Sequence, residues 1–263
     1  IAVAPRLMSA SPSPLVNCFS ADTTRQSTVS RWVTRLSAGT TRQTVYGMNA
    51  PASLSAPLRR VRFCREALAL AFSELTTQGL IPDLRSNAYG LGLERVSAIA
   101  RDAGVKEAVI SGADRASSVL PAAAPDTSGS LNWLEGPHVV VTLEADVVSL
   151  KRVPAGTPVS YGYQYRTARE TTLALVSAGF ADGVPRTASM QGHVALSGAT
   201  HLIAGRIAMD QMVIDIGDTS ASLGDVATIW GSTPTLREWS HWSGRPSSLL
   251  VAQLAPRVVT IWE

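Results

Sequence analysis

From residue 137 onward the chain is a succession of short β segments, and this pattern limits its architecture more than any other feature. PHVVVTLEADVVSLKRV (137–153) alternates apolar and polar residues. TTLALVSAGF (171–180), GHVALSG (192–198), HLIAGRIAMDQMVIDIG (201–217) and GDVATIWG (224–231) follow, separated by turn residues. Period-two alternation puts one face of each segment into a core. Segments spaced about 8 to 15 positions apart predict an all-β domain of about eight strands over 131–263, a barrel or a sandwich. Leu236 to Trp242 is expected as one helical turn, and Leu249 to Glu263 as a closing strand pair broken at Pro256.

The preceding stretch has a different texture. RFCREALALAFSELT (62–76) carries apolar residues at 63, 67, 68, 70, 71, 72 and 75, the spacing of an amphipathic helix. Gly79 ends it. Leu80 onward is expected as a short strand, weakened by Pro82 and Asp83. SNAYGLG (86–92) is a glycine-bearing turn, Leu93 to Ala103 a helix, and Glu107 to Ser111 a second short strand. Residues 113–130 are small, polar and proline-bearing, and are expected as a linker. Residues 1–60 are rich in Ser, Thr, Pro and Arg without a sustained apolar period, and are expected as a disordered or non-native leader. A transit peptide would share that composition.

Charge is confined in an informative way. Residues 1–62 hold eight arginines and one acid, Asp22, whereas 63–263 hold 15 basic and 19 acidic residues. The body therefore has no basic excess to offer a nucleic acid. No run of about 20 apolar residues is present, which excludes an apolar membrane-spanning helix. Cys18 and Cys64 make neither a disulfide framework nor a zinc quartet, and a reduced, cytoplasmic protein is expected. Only Lys106 and Lys151 among the 23 basic residues are lysine, so chemistry that needs an amine has two candidates.

Few residue patterns point to a site. A strand, the SNAYGLG turn and a helix can hold phosphate on backbone N–H groups, with Gly90 and Gly92 allowing close approach and Tyr89 adding a hydroxyl. The same residues also make an ordinary turn. The histidines at 138, 193, 201 and 241 lack metal-ligand spacing, and no nucleophile elbow supports a serine hydrolase. GFADGVPR (179–186) is a turn after a strong strand. AGRIAMDQMVID (204–215) places Arg206 and Asp210 near apolar strands, where either a functional role or a structural Arg–Asp pair would satisfy them.

Three segments in order, VSYGYQYRTARETTLALVSAGFADGVPR, IAGRIAMDQMVIDIGD and LGDVATIWG, resemble the C-terminal domain of alanine racemases. RSNAYGLGLERV resembles the cofactor loop of that family, KANAYGHG. The resemblance implies a fold of α/β plus all-β type: a (β/α)8 barrel, here truncated to a remnant over 61–112, followed by a C-terminal β-barrel-like domain over 131–263. It implies pyridoxal 5′-phosphate as cofactor, alanine as substrate, D-alanine for peptidoglycan as product, and a homodimer. A lysine holds the cofactor, and a tyrosine of the partner's C-terminal domain faces it. These serve as the two bases that remove and return the α-proton.

Carried over position by position, the cofactor lysine falls on Arg85 and the catalytic tyrosine on Phe180. The tyrosine that contacts the cofactor phosphate falls on Tyr89, and the substrate-binding Met and Asp of CMDQ fall on Met209 and Asp210. Arginine is not an amine nucleophile and stays protonated; phenylalanine has no proton to exchange. About 70 residues separate Arg62 from the β domain, against roughly 250 in a full barrel. The expectation is an alanine racemase-family protein that has lost catalysis, or a non-catalytic ligand- or partner-binding β module.

Overall fold

The computed structural model describes residues 58–124 and 127–263. Most of the expected leader lies outside these residues. The chain's core is a ring of β strands laid down by the alternating segments. β2 (Val141–Val153) is the backbone of the ring: its first half pairs antiparallel with β9 (Val226–Trp230), and its second half with β5 (Thr171–Val176). A bulge between Val147 and Ser149 lets one strand serve both neighbours. β9 pairs with β6 (His193–Leu196), and β6 with β7 (Ala199–Leu202). β5 pairs with β8 (Met212–Gly217). The Ile203–Ile214 bridge and the Ala204 N–H to Val213 carbonyl bond of 2.8 Å close the circuit between β7 and β8. Val147, Ala174, Val176, Val194, Ile214 and Ile229 fill its interior. A small hairpin, β3 (Pro158–Val159) with β4 (Tyr165–Arg166), stands beside it.

Two strands join from the chain's ends. β1 (Arg59–Phe63) pairs antiparallel with β2 and parallel with β10 (Val259–Trp262). β1 falls across the expected boundary between leader and α/β segment, and Arg62 lies in it rather than in a helix. Its alternation is masked by arginine: Val61 and Phe63 face the core, while Arg60 is buried against Glu144 at 2.8 Å and Asp146 at 2.9 Å. At the far end the expected strand pair is one helix and one strand. α6 (Ser247–Ala252) follows α5 (Leu236–Ser243), and only Val259–Trp262 is extended. Lys151 lies within β2.

The α/β segment follows β1. α1 (Arg65–Thr77) buries Ala67, Leu68, Ala71, Phe72 and Leu75 on one face. Cys64 caps it, its Sγ accepting the Ala67 N–H at 3.4 Å. Cys64 is not a free thiol, which departs from the reduced state expected from the cysteine count. α3 (Leu93–Asp102) packs on α1 and the short α4 (Asn132–Glu135) lies nearby. Short parallel bridges run Ser130–Pro82, Asp83–Val109 and Ala108–Ala122. The expected linker 113–130 therefore contributes isolated parallel bridges at Ala122 and Ser130, with a 3-10 turn at Gly112–Ser117.

Candidate functional site

The SNAYGLG turn is wound the wrong way for L-residues. Ser86, Asn87, Ala88 and Tyr89 have φ between 51° and 56°, so α2 (Arg85–Tyr89) is a left-handed turn after Arg85. Each such residue costs roughly 1 kcal/mol or more. The surroundings hold it there. Ala88 and Tyr89 are buried, and the Tyr89 ring stacks on Trp133 with centroids 6.2 Å apart. The Trp133 indole donates to the Asp83 carbonyl at 3.0 Å. Strain kept up by its neighbours clusters at functional sites in proteins.

Arg85 points out of this turn onto Asp83. The guanidinium Nε lies 3.0 Å from both carboxylate oxygens, and a terminal nitrogen makes a closer ion pair. Asp83 also accepts the Arg85 backbone N–H at 3.1 Å. The Asp83 side chain is 2% exposed. Burial alone would raise its pKa, but the bonds from Arg85 outweigh it and hold the carboxyl below its ordinary value. The hydrogen bonds and charge of Asp83 in turn push Arg85 above its ordinary value. Tyr89 is raised as well, first by burial and then by Asp83.

The backbone donors of the turn are already taken. Ser86 N–H donates to Ser111 Oγ at 3.1 Å, Asn87 N–H to Asp114 Oδ2 at 3.1 Å, and Leu93 N–H to Asn87 Oδ1 at 2.7 Å.

The second group of expected residues comes together on the β domain. After β5 the chain makes a 3-10 turn at Phe180–Asp182. The Phe180 N–H donates to the Ala208 carbonyl at 3.0 Å and the Ala181 N–H to the Met209 carbonyl at 2.9 Å, which lays the 179–182 turn against the 208–211 loop. Gly179 permits it, since a Cβ there would stand 2.3 Å from the Ala208 oxygen. Phe180 and Met209 are exposed, and the Arg186 guanidinium lies 5.6 Å above the Phe180 ring.

Sequence reasoning missed what fixes these loops. The Asp182 side chain, fully buried, accepts the Gly179 N–H at 2.8 Å, Arg59 at 3.1 Å and Arg257 at 2.7 Å. Arg257 also reaches Asp210 at 2.7 Å. Of the two readings left open for Arg206 and Asp210, the structural pair does not form: Arg206 donates to Gln164 at 3.2 Å, and Asp210 is exposed with Arg257 as its partner. Asp182 was legible as an acid in a turn, but its partners lie 123 and 75 positions away in the chain.

Among the described residues, no hydrogen bond or ion pair joins the two groups: Arg85 and Tyr89 meet Asp83 and each other, while Phe180 and Met209 join the facing loops and Asp210 pairs with Arg257. Lys106 and Lys151 are both exposed, in neither group. Among the described residues no cluster of His, Cys, Asp and Glu could hold a metal, and no helix is long and apolar enough to cross a membrane.

Comparison with known proteins agrees with this geometry. The family model described as "Alanine racemase, C-terminal domain" matches residues 140–262. An alanine racemase of Salinispora arenicola is 46% identical over 110 residues, 40% of this chain and 30% of the relative. One of Streptomyces coelicolor is 40% identical over 131 residues, 48% of this chain and 34% of the relative. The chain thus spans about a third of the length of these curated relatives. The solved alanine racemase of Streptomyces lavendulae superposes with a TM-score of 0.65 at 20% identity, covering 80% of this chain and 98% of that one. That of Bartonella henselae, with covalently bound pyridoxal phosphate, gives 0.67 at 16% identity, covering 79% and 100%. At these identities the solved structures speak for the fold. Residues 140–262 match the C-terminal domain of alanine racemases in sequence, and the chain shares its fold with solved alanine racemases.

Proposed function

We propose that this chain is a member of the alanine racemase family that does not racemise, and that its β domain serves as a non-catalytic ligand- or partner-binding module. The observation that carries the reading is the state of residue 85. Racemisation through pyridoxal phosphate needs an amine there to hold the aldehyde and a second base opposite. Position 85 holds a guanidinium bound to a buried carboxylate, and position 180 holds a phenyl ring. Arg85 supplies neither nucleophile nor base. Residues 61–112, with the parallel bridges through Pro82, Asp83, Ala108 and Ala122, are read as the remnant of the family's (β/α) barrel. Alanine as ligand and a second copy as partner are what the family would bring. Tyr89, Met209 and Asp210 remain the residues of family type at the positions for cofactor and substrate contact.

The test is spectroscopic. Add pyridoxal 5′-phosphate to the full chain, record Schiff-base absorbance, reduce with borohydride and map labelled lysines. The expected result is no stoichiometric label on Lys106 or Lys151. A single stoichiometric label together with alanine racemase turnover would overturn the reading.

A further inference from the structure

We infer that Asp83 and Asp114 close the SNAYGLG turn to phosphate, so that the chain binds pyridoxal 5′-phosphate neither covalently nor through its phosphate. The inference rests on the non-racemising reading but goes past it, because an enzyme without its lysine can still hold the cofactor by its phosphate alone. A phosphate cradle needs free N–H donors, a positive potential and room. The turn has open space at Gly90 and Gly92 but offers neither of the first two. The Asn87 N–H, which would point at an anion, points at the Asp114 carboxylate, and the Ser86 and Leu93 N–H groups end on Ser111 and Asn87. The one cation, Arg85, is engaged by Asp83, and the Tyr89 hydroxyl faces the same pair. Beneath the turn the chain is tightly packed. Gly129 is pressed so close to Asp83 that a Cβ would lie 2.5 Å from the Asp83 Cβ, and Trp133 fills the space under Tyr89 and Asp83. Cavities of about 640 and 430 Å³ open elsewhere, around Tyr165, His201 and Asp215, and between Leu134–Val141 and Thr235–Arg237. Two carboxylates thus border the turn, one on its Asn87 N–H and one on Arg85, and each repels a dianion at short range.

The claim makes the carboxylates the barrier, and removing them should open the turn. Titrate the full-length chain with pyridoxal 5′-phosphate, with pyridoxal and with inorganic phosphate by equilibrium dialysis, and repeat with Asp114→Asn and with Asp83→Asn/Asp114→Asn. Asp114 is only half-buried, so its variant keeps the test alive if the double variant does not fold. The expected result is no saturable binding to the unaltered chain. Affinity for pyridoxal 5′-phosphate should rise about tenfold or more in the double variant and severalfold in Asp114→Asn. Inorganic phosphate should compete, and pyridoxal, which lacks the phosphate, should gain nothing. Saturable, phosphate-competed binding by the unaltered chain would overturn the inference, and so would folded variants that gain no affinity. Binding without turnover would leave the non-racemising reading standing, so the two claims fail separately.

Discussion

At the scale of single residues, position 85 carries the most information. Its arginine was legible in the sequence, and so was a phenyl ring at position 180. The grip of Asp83 on Arg85 was not, because Asp83 reads in the sequence only as a residue that weakens a strand. Burial of the carboxylate turned it into a partner. The pair has a pH signature. Asp83 is held below its ordinary value, so it contributes stability that is present above about pH 4, its unfolded range, and lost as pH falls through the folded value. In Arg85→Gln the buried carboxylate loses its cation and its pKa moves up instead. Since Arg85 is more than half exposed, solvent screening limits the cost, and about 1–2 kcal/mol of destabilisation at pH 7 is expected. That difference should narrow as pH falls toward 4, where Asp83 protonates in the variant. Urea unfolding at several pH values measures both. A constant difference across pH would contradict the assignment.

At the scale of elements, two loops and one ion cluster hold Phe180, Met209 and Asp210 in place. Gly179 lies against the 208–211 loop with no room for a methyl group. Gly179→Ala should cost about 1–3 kcal/mol or more through forced separation of the two loops, read as a lower urea midpoint with an unchanged slope. Asp182 is the hub that joins β1 and the C-terminal segment to the same turn. Asp182→Ala leaves Arg59 short of its anion and the Gly179 N–H unpaired, and about 3 kcal/mol is expected. Arg257→Gln should cost less, because that side chain is 41% exposed. Most β elements were legible because alternation and turn residues report on local structure. The strand at 59–63 was not: its outward positions are arginines, and one of them, Arg60, is buried only because Glu144 and Asp146 arrive from β2. The helix Ser247–Ala252 was missed for a related reason, since SSLLVA reads equally as strand until packing against α5 decides it.

At the scale of the whole molecule, the ends of the described chain are sewn into one sheet. β1 lies between β2 and β10, so the β domain depends on residues that precede the α/β segment. A chain beginning at Arg65 would strip β2 and β10 of their partner and leave Glu144 and Asp146 buried without Arg60. It should lose cooperative unfolding, as seen by near-ultraviolet circular dichroism, whereas a chain beginning at Leu58 should keep it. Strand spacing left a barrel and a sandwich both open, and the closure at Ile203 and Ile214 that decides for a ring is a pairing that no local pattern announces. On the proposed reading of residues 61–112 as a barrel remnant, restoring two side chains does not supply the rest of the barrel. Arg85→Lys with Phe180→Tyr is therefore expected to form no D-alanine above background, measured by chiral chromatography.

The central claim is that this chain lacks the pair of bases that moves an α-proton. Exchange of that proton is the direct readout, because it detects even a single working base. The full-length chain is incubated with pyridoxal 5′-phosphate and L-alanine in deuterated water, and the α-proton resonance is followed by NMR. The account predicts loss of signal no faster than with pyridoxal 5′-phosphate alone. Chain-dependent exchange, accompanied by D-alanine, would contradict it.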